Sequence, residues 1–499
     1  MTVVPNWPAV AWETLPWRSR YPQALTARQR AAQPTTYRSS IVPPIRHSDP
    51  VVPAELLAQE AQAIAEVTRF NAAVGTTLLP WTSLLLRSES SASSRIERLT
   101  SSARKVLEEE AFGGTGGNAT AVVANARAMR AATTQTADLD LPRLLEIHHC
   151  LMSRTAPGIA GRLRTEPVWI GGSDLAPVGA LFVPPAHTRV PDALEDLLTF
   201  CRRGDLPPLT RIAIAHAQFE TIHPFVNGNG RTGRALIHIL LRQAGLSVHA
   251  PLPLSAVLLA DTPSYSRTLD AYRDADLVPV IALTIRAAQE AARLGTTAGS
   301  ALARVHDGWT TRLTGRAGTP DRALADLLVS RPVLDVATAA GELGVSAQAA
   351  RRAFARLEEA GIVVGYQISR GRRAWRAPGI LDLMDSVTDG LLRALWHLPR
   401  SRPYPDHGAM SASVLLGSST YTRGPGCGAC LDLVELTCCY RVHAHFFGLN
   451  ALHLLKNVGE PDRIEPCVGL PREVHKLLVA VRSGTTDRIH VEVVTSLTA

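Results

Sequence analysis

The residues best suited to chemistry lie within twelve positions, from His223 to Arg234. The stretch reads His-Pro-Phe-Val-Asn-Gly-Asn-Gly-Arg-Thr-Gly-Arg, so a histidine is followed by a Gly/Asn turn and two arginines. An imidazole can act as a general base near neutral pH, and guanidinium groups bind phosphate oxygens. These residue types in this order predict a phosphate-binding loop with a base beside it.

Two helices must position these groups. Arg211–Ile222 has a helical apolar pattern and leads into His223, while Ala235–Gln243 predicts an apolar helix after the turn. A loop that opens into a helix N-terminus presents free N–H groups and a positive dipole end, which bind anions. The residues expected at this anion site are Gly228, Asn229, Gly230, Arg231 and Arg234.

Composition limits the class of protein. The chain has 499 residues, a net charge of +8 and seven cysteines, and its length predicts about three or four domains. No apolar run reaches the roughly 18 residues of a membrane span, and the N-terminus has no basic segment followed by an apolar one. With an odd cysteine count, we expect a reduced, cytoplasmic protein without a membrane contact.

The chain divides into five expected segments. They are a proline-rich extended arm (1–50), a helical region (51–135), a helical core containing the histidine stretch (136–300), a helix-turn-helix unit (320–380) and a Cys-containing tail of unknown fold (400–499). The tryptophans of the arm are expected to pack onto the body. Within 161–183, two short β-like runs around a Gly/Pro-rich connection predict a hairpin.

The helical region carries a serine cluster. Periodicity predicts helices over 81–87 and 95–110. Between them, Ser88–Glu97 is rich in serine, and we expect it to interrupt the helices and cap the second one.

The 320–380 unit reads as a winged helix-turn-helix, because helices over 336–343 and 347–360 precede two strands within 361–376. Over 351–376 there are seven basic and two acidic residues. Contact with DNA phosphates is therefore one expected role. Such modules also form dimers and dock proteins, so DNA and a second copy of the chain both remain candidate partners.

Residues 223–234 resemble the signature of the Fic (filamentation-induced-by-cAMP) family, His-Pro-Phe-x-(Asp/Glu)-Gly-Asn-Gly-Arg-x-x-Arg. Gly161–Gly172 resembles the family's flap, and Ser93–Glu97 resembles its inhibitory motif, (Ser/Thr)-x-x-x-Glu-(Gly/Asn), except for Arg98 at the sixth position. The resemblance covers about residues 5–380. It implies a mainly α fold: a Fic-type helical core with a β-hairpin flap, an N-terminal inhibitory helix and a C-terminal winged helix-turn-helix domain.

The resemblance also implies a reaction. A protein adenylyltransferase moves AMP from ATP, with Mg²⁺, to a Ser, Thr or Tyr hydroxyl of a target protein or of itself. His223 would take the hydroxyl proton. The backbone of Gly228, Asn229 and Gly230, with the Asn229 side chain, would hold the α- and β-phosphates. Arg231 would neutralise charge near the leaving phosphates, and Arg234 would reach the γ-phosphate.

Two further roles follow from the resemblance. Glu97, on the helix that carries Ser93, would pair with Arg234 and block the γ-phosphate position, so that activity is autoinhibited. The flap near 168–183 would hold the target segment by strand addition.

Asn227 departs from the signature, which has an acid that binds Mg²⁺. An amide oxygen carries no charge, so the affinity for a hard divalent cation should be lower. Three interpretations remain open: a weak transferase, a transferase with another donor, or a DNA-binding regulator with a degenerate nucleotide-binding core.

Other histidines and cysteines are weaker candidates. We interpret His148, His149 and His216 as core or surface residues. Cys427 and Cys430, near Cys438 and Cys439, could hold zinc with His443 and His445, although their spacing matches no known motif.

Overall fold

The computed structural model describes most of the first 390 residues. They are residues 7–19, 22–76, 81–134, 139–173, 175–313, 315, 318–369 and 371–390, together with the strands at 477–483 and 489–495. The fold is mainly α, as the sequence predicts. Residues 1–399 form one compact unit and 400–499 a second. The zinc candidates of the tail lie outside the described residues.

The N-terminal arm is more structured than an extended segment. Strand β1 (Ala11–Pro16), a short helix α1 (Ala27–Ala31) and strand β2 (Thr36–Ile41) form a hairpin in which β1 and β2 are antiparallel. Trp7 is buried, with ring centroids 6.4 Å from Phe200 and 6.4 Å from Tyr272. Aromatic packing thus anchors the arm on the core.

Four helices follow: α2 (Ala54–Gly75), α3 (Trp81–Ile96), α4 (Ala103–Phe112) and α5 (Gly117–Thr134). The predicted interruption at the serine cluster is wrong, because α3 runs through it. Ser90 Oγ donates to the Leu86 carbonyl at 2.7 Å and Ser94 Oγ to the Ser90 carbonyl at 2.8 Å, so these two hydroxyls are satisfied inside the helix. The cap of α4 is Ser102 instead.

The core is an all-helical layer. It comprises α6 (Leu141–Met152), α7 (Val190–Cys201), α8 (Pro208–Ile222), α9 (Asn229–Gln243), α10 (Leu254–Ala260), α11 (Thr262–Arg273) and α12 (Val278–Arg312). Helix α8 is buried from Leu209 onward except for Arg211, and α9 is buried from Asn229 to Leu241. These two helices therefore fix the stretch between them. The predicted core boundary at residue 300 falls inside α12.

The predicted flap hairpin is reduced to isolated antiparallel bridges. The main one joins Ile170 and Phe182, where the Ile170 N–H donates to the Phe182 carbonyl at 2.9 Å and the Leu181 N–H donates back at 2.8 Å. Leu181 is 84% exposed. The flap is thus a loop closed at its base, with an apolar side chain facing solvent.

The C-terminal module follows the predicted order of helix, turn, helix and two strands. It contains α13 (Pro320–Ser330), β3 (Val333–Asp335), α14 (Val336–Leu343), α15 (Ala347–Glu359), β4 (Val364–Ser369), β5 (Arg372–Arg376) and α16 (Pro378–Thr388). The sheet order is β3-β5-β4. Phe354 stacks on Trp375 with centroids 4.3 Å apart, which joins α15 to β5.

Several arginines of this module are paired internally. Arg356 bonds Asp321 at 3.1 Å, and Arg372 bonds Asp335 at 2.8 Å. Arg373 likewise bonds Glu358, at 2.9 Å. The free positive surface is therefore smaller than the sequence count indicates.

In the second unit, β6 (Leu477–Ser483) pairs antiparallel with β7 (Ile489–Thr495). Among the helices of the described ranges, none combines the length and the apolar character that a membrane crossing needs.

Candidate active site

His223 stands at the C-terminal end of α8 in a left-handed conformation, with φ 50°. Its Nδ1 lies 3.4 Å from the Glu220 carbonyl. Since a carbonyl can only accept, Nδ1 carries the hydrogen and Nε2 keeps its lone pair. Burial, and then the charge of Arg164, lower the pKa of His223 to about 4. The ring is therefore neutral at pH 7 and able to accept a proton.

The turn after His223 closes on itself. Asn229 Oδ1 accepts from the Phe225 N–H at 2.9 Å, and Asn229 Nδ2 donates to the Phe225 carbonyl at 2.8 Å. Gly228 caps α9 with φ 82°, a conformation that glycine adopts without strain. Both polar atoms of the Asn229 side chain are thus used within the loop. Its expected phosphate contact is left to the backbone N–H groups of the first turn of α9.

Arg231 is a buried cation, 4% exposed. Within the described part of the chain, its Nε and Nη1 have no hydrogen-bond partner, and Nη2 reaches only the Met152 sulfur at 3.7 Å. Burial lowers the pKa of Arg231. An unpaired buried charge is costly, so this guanidinium is prepared for an anion beside the first turn of α9.

Arg234 is held by residues at the end of α3, the helix for which the resemblance implies an inhibitory role. Its Nε donates to Ser93 Oγ at 2.8 Å, and its Nη2 donates to the Ser93 carbonyl at 2.7 Å and to Glu97 Oε1 at 2.9 Å. Arg234 is 2% exposed, and the charge of Glu97 raises its pKa against the opposing effect of burial. Ser93, Glu97 and Arg234 therefore meet as the resemblance implies.

The Glu97 carboxylate lies at the position expected for the bound anion. A β-carbon built on Gly230 would collide with this carboxylate. Burial works against ionisation of Glu97, but the charge and hydrogen bond of Arg234, followed by the charge of Arg231, hold its pKa below the usual value. The carboxylate thus lies where the helix end and both arginines favour negative charge.

Arg98 ends α3 in a left-handed conformation, with φ 62°. The Leu99 N–H donates to the Ser94 carbonyl at 3.0 Å, and the Arg98 N–H donates to the Arg95 carbonyl at 2.9 Å. This is the pattern of a Schellman-type helix end, whose left-handed position favours glycine. The Gly/Asn of the motif's sixth position thus has a conformational reason, and Arg98 is strained there.

His148 of α6 contacts the turn that follows His223. It is 0% exposed, and burial lowers its pKa to about 4. Nδ1 accepts from the Gly161 N–H at 3.0 Å, so Nε2 carries the hydrogen and donates to the Asn227 carbonyl at 3.0 Å. The ring stacks on Phe225, with centroids 3.7 Å apart and an interplanar angle of 6°.

Arg164 joins the flap base to the same turn. Its Nε donates to the His223 carbonyl at 2.8 Å, and its Nη2 donates to the Pro185 carbonyl at 2.6 Å. Its own N–H donates to the Pro224 carbonyl at 3.0 Å. A cation that satisfies backbone carbonyls fixes the loop that carries His223.

Asn227 exposes its side chain, while its carbonyl is held by His148. No cluster of three or more His, Cys, Asp or Glu able to hold a metal occurs among the described residues. The exposed amide offers an oxygen without charge where Mg²⁺ prefers a carboxylate, so the donor at this position fits the ion poorly.

The structure brings together His223, Gly228, Asn229, Gly230, Arg231, Arg234, Ser93 and Glu97, with Asn227 on the same turn. His148 and Arg164 were not predicted as site residues. Arg164 lies in the Gly161-Arg-Leu-Arg segment, which was a usable signal, whereas the ring stacking of His148 has no local signature.

The segment that contains the histidine stretch is similar to known proteins. Residues 138–241 match the model of the Fic/DOC family. A 108-residue segment is 32% identical to Protein adenylyltransferase fic-1 of Caenorhabditis elegans, covering 22% of this chain and 20% of that protein. A 117-residue segment is 32% identical to Protein adenylyltransferase Fic of Drosophila willistoni, covering 23% and 22%. The chain thus spans about a fifth of the length of these relatives.

Among solved structures, a Fic family protein from Desulfovibrio desulfuricans G20 is 25% identical, with a TM-score of 0.44, over 67% of this chain and 98% of that one. The match of the family model contains His223, Arg231 and Arg234 and the helices on either side of the turn. Residues 138–241 of the chain are therefore a Fic/DOC family domain.

Proposed function

We propose that this protein is an adenylyltransferase that moves AMP from ATP to a Ser, Thr or Tyr hydroxyl of a protein, and that Glu97 restrains it. The hydroxyl oxygen attacks the α-phosphorus, and the bond to the bridging β-phosphate oxygen breaks. Pyrophosphate leaves with that electron pair. The hydroxyl proton passes to Nε2 of His223, whose tautomer leaves this nitrogen free.

The observation that carries the proposal is the unpaired guanidinium of Arg231 in the first turn of α9, in the same twelve-residue stretch as a neutral His223. Together with the backbone N–H groups of the first turn, it offers a preformed site for phosphate charge. Such phosphoryl transfer depends mainly on positioning and charge neutralisation. The loop contacts of Asn229 with Phe225 contribute to that positioning.

In this proposal, Glu97 restrains the reaction by occupying the position that the γ-phosphate would take. Glu97 binds Arg234 and lies over Gly230, so the γ-phosphate and this carboxylate compete for the same cation and the same volume. Arg234 cannot serve both. A nucleotide that binds beside Glu97 would lack its γ-phosphate contact, and productive ATP binding would be lost.

The decisive experiment is self-adenylylation with α-labelled ATP. The Glu97→Gly variant should transfer label faster than the wild type, and a Glu97→Gly/His223→Ala double variant should transfer none. Absence of transfer by Glu97→Gly, on itself and on proteins of a cell extract, would refute the proposed function.

Other predicted roles extend this proposal. The exposed Leu181 side of the flap is the proposed contact for a target segment. DNA binding by the C-terminal module, a homodimer and the cytoplasmic location stay predictions. Binding to duplex DNA across a salt series tests the first, since phosphate contacts weaken as salt rises.

A further inference from the structure

The turn between α8 and α9, which lies within the signature stretch, packs against α6. Leu151 and Met152 approach Gly228 so closely that a β-carbon there would lie 3.1 Å from each side chain. His148 adds directional contacts from α6 to the turn, at the Asn227 carbonyl and at the ring of Phe225. A fully buried polar ring that uses both nitrogens on backbone groups is suited to fixing a loop.

We propose that His148 is a positioning residue for the nucleotide site. Its Nε2–H holds the Asn227 carbonyl, and the peptide that follows this carbonyl supplies the N–H of Gly228 at the helix cap. Displacing this peptide displaces the first turn of α9, where the phosphates would bind. The inference rests on the proposed function, and its test includes a binding measurement that does not depend on transfer.

Two substitutions distinguish the contributions of the two ring nitrogens of His148. His148→Gln keeps an N–H donor near the Nε2 position, and His148→Asn keeps an acceptor near the Nδ1 position but cannot reach Asn227. In a Glu97→Gly background, His148→Asn should reduce both ATP affinity and turnover, the latter by about 100-fold, as expected for a misplaced reacting group. His148→Gln should stay within about threefold, which would mean rescue by the conservative variant.

Calorimetry with a non-hydrolysable ATP analogue measures affinity, and labelled ATP measures turnover. Phe354→Leu, in the C-terminal module, controls for a general loss of stability, and all rates refer to folded protein. Equal effects of His148→Asn and His148→Gln, or effects no larger than that of Phe354→Leu, would overturn the role of His148. A Glu97→Gly parent that binds the analogue but transfers no label would refute the proposed transfer reaction only. The affinities of the His148 variants for the analogue could still be compared, and they would still test the role of His148.

A separate set of contacts joins the inhibitory helix to α16. Arg95 of α3 forms an ion pair with Asp389, just after α16. The Ala103 N–H, after the end of α3, donates to Asp385 Oδ1 at 3.0 Å, and Ser88 Oγ donates to the Met384 carbonyl at 3.3 Å. These contacts lie before and after Glu97 in the sequence.

From this arrangement we infer that α16 is a latch for the inhibitory helix and couples the C-terminal module to the nucleotide site. Arg95 lies two residues before Glu97, at the end of the helix whose last turn is strained at Arg98. The Arg95–Asp389 pair is about one-third exposed on both sides, so it contributes only a few-fold to the equilibrium. Anything that moves α16 would therefore weaken the hold of Glu97 on Arg234. This inference, too, rests on the proposed function.

Charge reversal tests the latch. Arg95→Asp and Asp389→Arg should each speed hydrogen exchange of the amides of Ser94–Leu99 and raise self-adenylylation by about two- to fivefold, the range of a partly exposed ion pair. The double reversal should restore both values. Arg331→Glu is the matched control, because Arg331 pairs with Glu342 within the module at 2.8 Å.

The latch would be overturned if the single reversals exchanged the Ser94–Leu99 amides at the wild-type rate. It would also be overturned if the double reversal failed to restore that rate. Glu97→Gly in the same transfer assay reports on the proposed function separately. If that variant is inactive, hydrogen exchange still decides whether α16 holds α3.

Discussion

The Glu97 carboxylate lies where a β-carbon of Gly230 would have to be, directly over the first turn of α9. The same carboxylate is 2.9 Å from Arg234 Nη2. In the proposed restraint, Glu97 would therefore oppose a nucleotide in two ways, by volume over the helix end and by charge on the arginine. These two contributions can be measured separately.

Replacing Glu97 by Gln should give a transfer rate between those of the wild type and Glu97→Gly. The amide keeps the volume but releases the charge of Arg234, whereas glycine removes both. We expect Glu97→Gly to exceed the wild type by about 5- to 150-fold, the usual range of regulatory coupling. Initial rates of label incorporation measure this. Glu108→Gln, which removes the partner of Arg104, is the control. A Gln variant as fast as the Gly variant would exclude the contribution of volume.

Arg98→Gly should strengthen the restraint. The left-handed φ of 62° costs a non-glycine residue about 1 kcal/mol, so glycine should stabilise the folded, inhibited state by a similar amount. Basal transfer should fall about fivefold, and the melting temperature should rise. Ala275→Gly, at a φ of 69° between α11 and α12, should raise the melting temperature without changing transfer. Faster transfer by Arg98→Gly would contradict the expectation.

Asn227→Asp should make transfer more responsive to Mg²⁺. A carboxylate adds the charged oxygen that hard cations prefer, so in a Glu97→Gly background half-maximal activity should need on the order of tenfold less Mg²⁺. Val226→Asp places the same charge one position earlier, at another exposed site, and should not do so. An unchanged Mg²⁺ titration for Asn227→Asp would show that this position no longer takes part in metal binding.

The pH profile should report the environment of His223. Burial, and then Arg164, lower its pKa from 6.5 to about 4. As the pH falls, the base therefore stays unprotonated until about pH 4, and kcat/KM of Glu97→Gly should be nearly flat from neutral pH to about pH 5. Below that it should decline, because protonated His223 cannot accept the hydroxyl proton. Initial rates across pH, with folding checked by circular dichroism, decide this; a decline centred near 6.5 would contradict it.

The sequence predicts those parts of the site that are local. The turn residues and the two arginines follow from short-range rules, and the structure places Gly228 as the cap of α9. The course of α3 through its serines does not follow from such rules. Its stability depends on packing against α5, where Asn125 donates to the Ser90 carbonyl at 2.9 Å. Local propensity alone favours an interruption there.

Long-range partners set the remaining limit. His148 and Arg164 act on residues far along the chain, Asn227 and His223, through backbone carbonyls that any residue possesses. No residue pattern can predict such acceptors. In the flap, local propensity predicts more structure than forms. The β-branched and aromatic residues near Ile170 favour strands, but the following glycines and Pro184 confine pairing to isolated bridges.

The loop closed by Asn229 has a consequence for nucleotide binding. Since both amide atoms of Asn229 already close the turn, a nucleotide would find the loop formed and would order little on entry. In the proposed restraint, Glu97 would then behave as a tethered ligand with a fixed effective concentration at Arg234. For the proposed reaction, restraint would be a competition whose outcome shifts with the free ATP concentration, so the transferase would report the energy state of its surroundings without a separate sensor.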